Sequence, residues 1–315
     1  MTSLIEQATL RLEQLRRAGA SMPAGAPAFP KKEIDGSAEG KATEMPLASL
    51  VQAPSVAAKP AVTSRRVEID LEALSVAGIV SPNSPRSQIA DQFRVIKRPL
   101  ISNALGKGAS AVANGNLIMV TSALAGEGKS FTAINLAMSI ATELDTTVLL
   151  VDADVARPSV LRVLGLPPSP GLLDLILDET LEMSSMLLRT NIEKLTLLPS
   201  GTPHERATEL LASDAMIKLL ENMANRYPDR IIIFDSPPLL LTTESRVLAT
   251  HMGQIVLVVK AESTLQADVK HALSNIEACP VKLLVLNQAR SASQGTYGYG
   301  YGYGYGYGQQ EQVSQ

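Results

Sequence analysis

Six short runs of almost uninterrupted aliphatic residues recur at Leu117–Thr121, Thr147–Val151, Leu195–Leu198, Arg230–Phe234, Gln254–Val259 and Lys282–Leu286. A strand that is apolar on both sides must be covered on both sides, which is the condition of a parallel sheet packed between helices. Helical patterns fill the gaps at Ser130–Leu144, Glu205–Arg226, Ser245–His251 and Leu265–Ile276. Alternation of this kind predicts one α/β domain, a mostly parallel sheet flanked by helices, over residues 87–290. An earlier helix is expected over Ser87–Leu105, where Ile89, Phe93, Ile96 and Leu100 recur at helical spacing; Pro99 should bend or interrupt it.

The flanks have a different chemistry. Residues 1–18 read as an amphipathic helix, with Ser3 and Glu6 forming a capping box and Leu4, Ile5, Ala8, Leu12 and Leu15 its apolar stripe. Residues 19–86 carry Pro23, Pro27, Pro30, Pro46, Pro54 and Pro60 among Ala, Gly and Ser, and read as a mostly disordered linker. Residues 291–315 form a tail in which Tyr297, Tyr299, Tyr301, Tyr303, Tyr305 and Tyr307 alternate with glycine; the rest of the chain has one tyrosine, Tyr227. Glycine at every second position costs backbone entropy and leaves one face nothing to pack, so an open tail presenting six phenols is expected.

Bulk properties remove several classes. A net charge of -3 gives no reason to expect nucleic-acid binding. Cys279 is the only cysteine, which excludes an internal disulfide and fits a buried, inert thiol. No secretory segment and no apolar run of roughly 20 residues is evident, so a cytoplasmic protein is expected, reaching a membrane through a partner or a surface patch. His204, His251 and His271 lack metal-ligand spacing. Arg86, Arg94, Lys97, Arg98 and Lys107 face only Asp91 and form a basic stretch that suits an acidic protein surface, anionic lipid, a nucleotide, or simply a solvated helix face.

Chemistry concentrates at three strand ends. Ala123–Ser130 follows a strand, opens a helix and ends in Gly-Lys-Ser, the context that makes a phosphate loop. Gly126 and Gly128 let the backbone amides approach phosphate oxygens, and the helix amino end adds favourable dipole charge. Lys129 is expected on the β/γ-phosphates of ATP and Ser130 on Mg²⁺, with Phe131 in the same nucleotide contact set. Ala123 replaces the usual first glycine, which is acceptable where that position needs no positive φ. Glu127 belongs to the same nucleotide contact set, and as a loop residue is expected to face solvent rather than act as a catalyst.

Asp152 and Asp154, at i and i+2 after the second run, and Asp235, after the fourth, are the candidate catalytic and metal-binding carboxylates. Three carboxylates meeting at one Mg²⁺ would relieve the repulsion among themselves and with ATP. Pro237 and Pro238 stiffen the exit of the Asp235 strand. Arg157 is a candidate for a phosphate contact or a salt bridge across the loop, and Asn287 for a hydrogen bond to the nucleotide base.

With these residues in view, the chain resembles the bacterial tyrosine autokinases of the BY-kinase family, and among them the cytoplasmic kinases of exosortase-type exopolysaccharide loci. Ala123–Ser130 corresponds to the family's Walker A, Leu149–Pro158 to its Walker A′ and Ile231–Pro238 to its Walker B; the likeness extends to Gln92-Phe93-Arg94, Leu198–Gly201 and the tyrosine cluster. The resemblance implies a P-loop NTPase of the MinD/ParA-like type that phosphorylates the tail tyrosines of a neighbour in a homo-oligomeric ring. It also implies pairing with a membrane polysaccharide co-polymerase or chain-length determinant, and reversal by a phosphotyrosine phosphatase. Asp91, Arg94 and Lys97 or Arg98 stand where relatives carry an oligomer-forming motif, and Ala156 stands where relatives carry arginine. The alternative is a MinD/ParA-like ATPase scaffold organising membrane polysaccharide machinery, against which stands Leu124, at the place of that class's signature lysine.

Overall fold

The computed structural model describes residues 64–82, 87–108, 110–226 and 229–289. The expected helix over residues 1–18, the linker up to residue 63, Arg86, Tyr227 and the tyrosine-rich tail lie outside the described residues. Strands β1 (Arg65–Arg66), β2 (Leu117–Ser122), β3 (Thr147–Asp152), β4 (Leu188–Arg189), β5 (Leu195–Leu198), β6 (Arg230–Asp235), β7 (Gln254–Lys260) and β8 (Val281–Asn287) form one sheet. Their order is β1-β4-β5-β3-β6-β2-β7-β8, and every pairing is parallel except β4 with β5. All six apolar runs are strands; β1 and β4, two residues each, are too short to leave a pattern.

Alternation along the buried strands divides the core into two layers. Ile118, Val120, Val148, Leu150, Ile231 and Ile233 enter one. Leu117, Met119, Leu149, Val151, Ile232 and Phe234 enter the other. Helices among the described residues are α1 (Leu71–Val76), α2 (Gln88–Ala104), α3 (Lys129–Ala141), α4 (Val160–Val163), α5 (Leu172–Leu177), α6 (Met183–Met186), α7 (Ala207–Leu211), α8 (Asp214–Arg226), α9 (Glu244–Thr250) and α10 (Gln266–Ser274). Helix α3 is buried at every position from Thr132 to Ala141, the mark of a helix enclosed on all sides rather than laid on a surface.

Three expectations are corrected. The folded domain begins upstream of residue 87: Ile69, Leu74, Ile79 and Val80 are buried in the first layer. Asp70 caps α1 by accepting from the Glu72 and Ala73 amides. Asn191 stands in for a strand neighbour, its side-chain amide both accepting from and donating to the Ile69 backbone at 3.0 Å. The proline-rich composition stops before this stretch, and Val67, Ile69, Leu71 and Leu74 supply the apolar surface that the upstream linker lacks.

Helix α2 runs through Pro99 without a break. Proline removes the donor for the Val95 carbonyl, but Val95 is 74% exposed, and water can take that role. The helix expected over Glu205–Arg226 divides into α7 and α8. Ser213 lies between them, its hydroxyl accepting from the Met216 amide at 3.3 Å and donating to the Leu210 carbonyl at 2.7 Å.

Leu74 is 3% exposed, within α1. Leu74→Ala should cost about 2–5 kcal/mol of unfolding free energy, measured by urea denaturation; a change near zero would return this stretch to the linker.

Candidate active site

The sheet places the three chemical segments at the carboxyl ends of adjacent parallel strands, where open α/β sheets bind ligands. Strand β6 lies between β3 and β2. In the β3–β6 register Asp152 stands opposite Asp235, and in the β2–β6 register Val120 stands opposite Asp235. The phosphate loop leaving β2 therefore rises beside two carboxylates that the ladder holds side by side.

The loop's shape follows from its glycines. Gly126 has φ 83° and Gly128 φ 93°, a region that costs an L-residue strain. A Cβ at residue 128 would also lie 2.1 Å from Asn287 Nδ2 and would push that side chain from its place. Ala123 is not among the described non-glycine residues with positive φ, so its substitution for glycine is without strain. The first bond of α3 runs from the Thr132 amide to the Gly128 carbonyl at 2.9 Å, which leaves the preceding amides outside the helical ladder.

Lys129 Nζ donates to Asp154 Oδ2 at 2.6 Å, and both side chains are largely buried. The other Asp154 oxygen accepts from the Arg157 amide at 3.1 Å. Asp152 Oδ2 accepts from the Ser159 and Val160 amides at 3.0 and 2.9 Å. Asp152 Oδ1 and Asp235 Oδ1 are buried without a hydrogen-bond partner. Two orphaned carboxylate oxygens with Ser130 at the start of α3 form a hard-oxygen donor set that fits Mg²⁺.

The expectation that three carboxylates meet at one cation is narrowed to two. Among the described residues no three His, Cys, Asp or Glu side chains gather in a metal-binding group; Asp154 is spent on the Lys129 ammonium. Burial pushes Asp152 up to about 6, against the pull of the Val160 and Ser159 amides. It pushes Asp235 up to about 7, the nearby Lys129 ammonium opposing and the Asp152 carboxylate reinforcing the rise.

Glu127 corrects the reading further: it is buried, 3% exposed. Its Oε2 accepts from the Leu124 amide at 2.7 Å and its Oε1 from the Thr264 hydroxyl. Asn287 Nδ2 donates to the Glu127 carbonyl at 2.9 Å, so the side chain expected at the base braces the loop. Phe131 and Asn287 also line a groove of about 490 Å³ with Ile89, Phe93 and Leu286. Arg157 is exposed and takes no part in the ion pairs found among the described residues.

The basic stretch is broken up. Arg94 pairs with Asp91. Lys97 is buried, donating to the Ser139 carbonyl at 2.5 Å and pairing with Glu143 at 2.7 Å, a cation at the carboxyl end of α3. Thr264 escaped the sequence reading, and Lys97 reads there as part of a basic stretch, because no motif marks a hydroxyl or a lysine that meets its partner only in three dimensions.

Residues 115–282 match a family described as an AAA domain. The chain is 30% identical over 222 residues to the tyrosine-protein kinase YwqD of Bacillus subtilis (strain 168), covering 70% of this chain and 90% of that protein. It is 29% identical over 218 residues to the putative tyrosine-protein kinase CapB of Staphylococcus aureus, covering 68% and 91% respectively. Among solved structures it is similar to the chimerical protein CapA2B2, with a TM-score of 0.55 at 29% identity over 70% of this chain and 93% of that one. The mostly parallel sheet flanked by helices, with the glycine-shaped loop at the end of β2, is the fold it shares with that structure.

Both aspartates have folded values above the ordinary 3.8. Between these values the folded state holds more protons than the unfolded state, so the pair's contribution to stability is greatest at acid pH and is lost as pH rises through about 6 to about 7. In metal-free buffer, Asp235→Asn should therefore gain thermal stability over the parent as pH rises from 5 to 8 (about). Melting curves of the two chains across that range check this; a constant difference would contradict it.

Proposed function

The chain belongs to the bacterial tyrosine kinase family, and from that premise we propose that it is an ATP-dependent protein tyrosine kinase acting on its own tail in trans. The phosphoacceptors are Tyr297, Tyr299, Tyr301, Tyr303, Tyr305 and Tyr307 of a second copy. One observation carries the reading: the Asp152–Asp235 pair, with an orphaned oxygen on each residue, lies at the strand ends beside a glycine-shaped loop bearing Lys129.

Gly126–Ser130 receive the phosphates of ATP through the backbone amides and the Lys129 ammonium, which exchanges its bond with Asp154 for phosphate oxygens. Ser130 and Asp235, with Asp152 through water, would hold Mg²⁺, which when bound supplies neutralisation of the triphosphate charge. Asp152 orients the incoming phenol. As the phenol oxygen forms its bond to the γ-phosphorus, the bond from that phosphorus to the ADP oxygen breaks, and the phenol proton passes to the Asp152 carboxylate. A phenol with an ordinary pKa near 10 gives up that proton only as the new bond forms, so alignment and neutralisation carry most of the rate.

Each phosphate adds about -1.5 to -2 charges at neutral pH. A tail carrying several of them repels its neighbours, which supports a cycle in which a ring assembles, is phosphorylated and separates, and a phosphotyrosine phosphatase resets it. The likeness to the succinoglycan biosynthesis transport protein ExoP of Rhizobium meliloti (strain 1021) supports a place in exopolysaccharide synthesis, and a membrane polysaccharide co-polymerase is the partner proposed for it. No helix among the described residues is long and apolar enough to cross a membrane, which fits attachment at the inner membrane through such a partner.

Lys129→Met should lower tail phosphorylation by about 10²-fold or more, read by phosphotyrosine mass spectrometry after incubation with Mg²⁺ and ATP. Equal labelling of variant and parent would refute the site. Replacing the six tail tyrosines with phenylalanine should abolish nearly all phosphotyrosine while leaving nucleotide binding intact; strong labelling at Tyr227 would refute the tail as acceptor. ATP hydrolysis without any phosphotyrosine would favour an ATPase scaffold.

A further inference from the structure

Glu127 is an anomaly in a loop built to receive an anion. Its carboxylate is buried within a few residues of the place where a triphosphate brings more negative charge, and like charges there weaken binding. Its place is accounted for by what it holds. Through Oε2 it closes the start of the loop onto the Leu124 amide, and through Oε1 it accepts from the Thr264 hydroxyl. Thr264 Oγ1 accepts in turn from the Lys260 amide at 3.2 Å, at the end of β7. The Ala261 amide donates to the Asn287 carbonyl at 2.9 Å, and Asn287 Nδ2 returns to the Glu127 carbonyl. The ends of β7 and β8 and the phosphate loop are thus closed into one hydrogen-bonded ring, with Glu262 in the left-handed region at φ 58° in the turn between Lys260 and Thr264.

We infer that Glu127 is a positioning residue, bracing the phosphate loop on the Lys260–Thr264 turn so that its amides are set before nucleotide arrives. This rests on the nucleotide-binding reading above. Gly126 and Gly128 give the loop the freedom to wrap a phosphate, and the same freedom makes an unbraced loop expensive to order on binding. The ring removes that cost in advance, and it offsets the repulsion that the carboxylate brings.

The test separates affinity from turnover in the full-length chain. Glu127→Ala and Thr264→Val should each raise the Kd for a fluorescent ATP analogue and the KM for ATP about tenfold, with kcat changed by less than about twofold. Thr264→Ser, which restores the hydroxyl at a half-buried position, should return both constants to within about twofold of the parent, and Glu127→Gln should recover most of the loss caused by alanine. The Glu127→Ala/Thr264→Val pair should be no weaker than the weaker single variant, since both cut the same bridge. Melting curves identify any variant that has failed to fold; the Thr264→Val and Thr264→Ser comparison then decides alone. Parent-like affinity in both single variants, or a serine variant as weak as valine, overturns the brace while leaving the nucleotide site standing. A parent chain that binds no nucleotide overturns both.

Discussion

Two carboxylates forced together at the ends of buried parallel strands are the interaction on which the rest of this site depends. The β3–β6 ladder sets Asp152 opposite Asp235, and a register fixed by two apolar layers cannot slip by one residue without turning every side chain to the wrong face. Neither aspartate can move away from the other or from the core. Burial then works against their ionisation, as the raised values of both residues record, and the orphaned oxygens leave that penalty standing. On the proposed function, a cation supplied together with a phosphate ligand is the agent that would relieve it. The arrangement is therefore a poor one for the empty protein and a good one for the loaded protein, as expected where stability is given up to a binding site.

The phosphate loop depends on the same sheet but is stabilised differently. Helix α3 is fixed at both ends. At its amino end the loop is shaped by Gly126 and Gly128 and braced by Glu127; at its carboxyl end the Lys97 ammonium meets the Ser139 carbonyl, where the helix dipole is negative. Asn135, two turns inside the buried helix, joins it to the segment preceding α2, accepting from the Val80 amide at 2.7 Å and donating to the Phe131 carbonyl at 2.9 Å. An element enclosed on every side and held at both ends can keep Lys129 and Ser130 in register with the strand ends, which a surface helix of the same length could not.

What was legible in the sequence follows the range of the interactions. Strands β2, β3, β5, β6, β7 and β8 were readable because burial on both faces leaves an aliphatic run, a local signature. The placement of Lys129, Ser130, Asp152 and Asp235 at strand ends was readable because position relative to a strand end is also local. The partition of the carboxylates was not: i and i+2 spacing says that Asp152 and Asp154 share a side, but whether either reaches a cation depends on where the Lys129 side chain goes. Glu127 looked like a solvent-facing loop residue because its hydroxyl partner, Thr264, is 137 positions away. The 64–82 segment was misread for a related reason: its apolar residues are sparse and its key partners, Asn191 and Asn135, lie far along the chain.

The same distinction separates the parts of the molecule that bear on catalysis. A charge such as Lys129 acts wherever it can reach, and its pairing with Asp154 at 2.6 Å is an exchangeable bond: a triphosphate offers a larger negative charge in the same place, and the released Asp154 keeps the Arg157 amide as a partner. The bonds of Glu127 have no such competitor, since a phosphate accepts hydrogen bonds and cannot replace an acceptor on the Leu124 amide without entering the loop's own interior. On the proposed function, nucleotide binding would therefore rearrange the lysine and its aspartate while leaving the Glu127 ring closed. The site thus has one bond built to break and one built to persist, and the second gives the first a fixed frame in which to exchange.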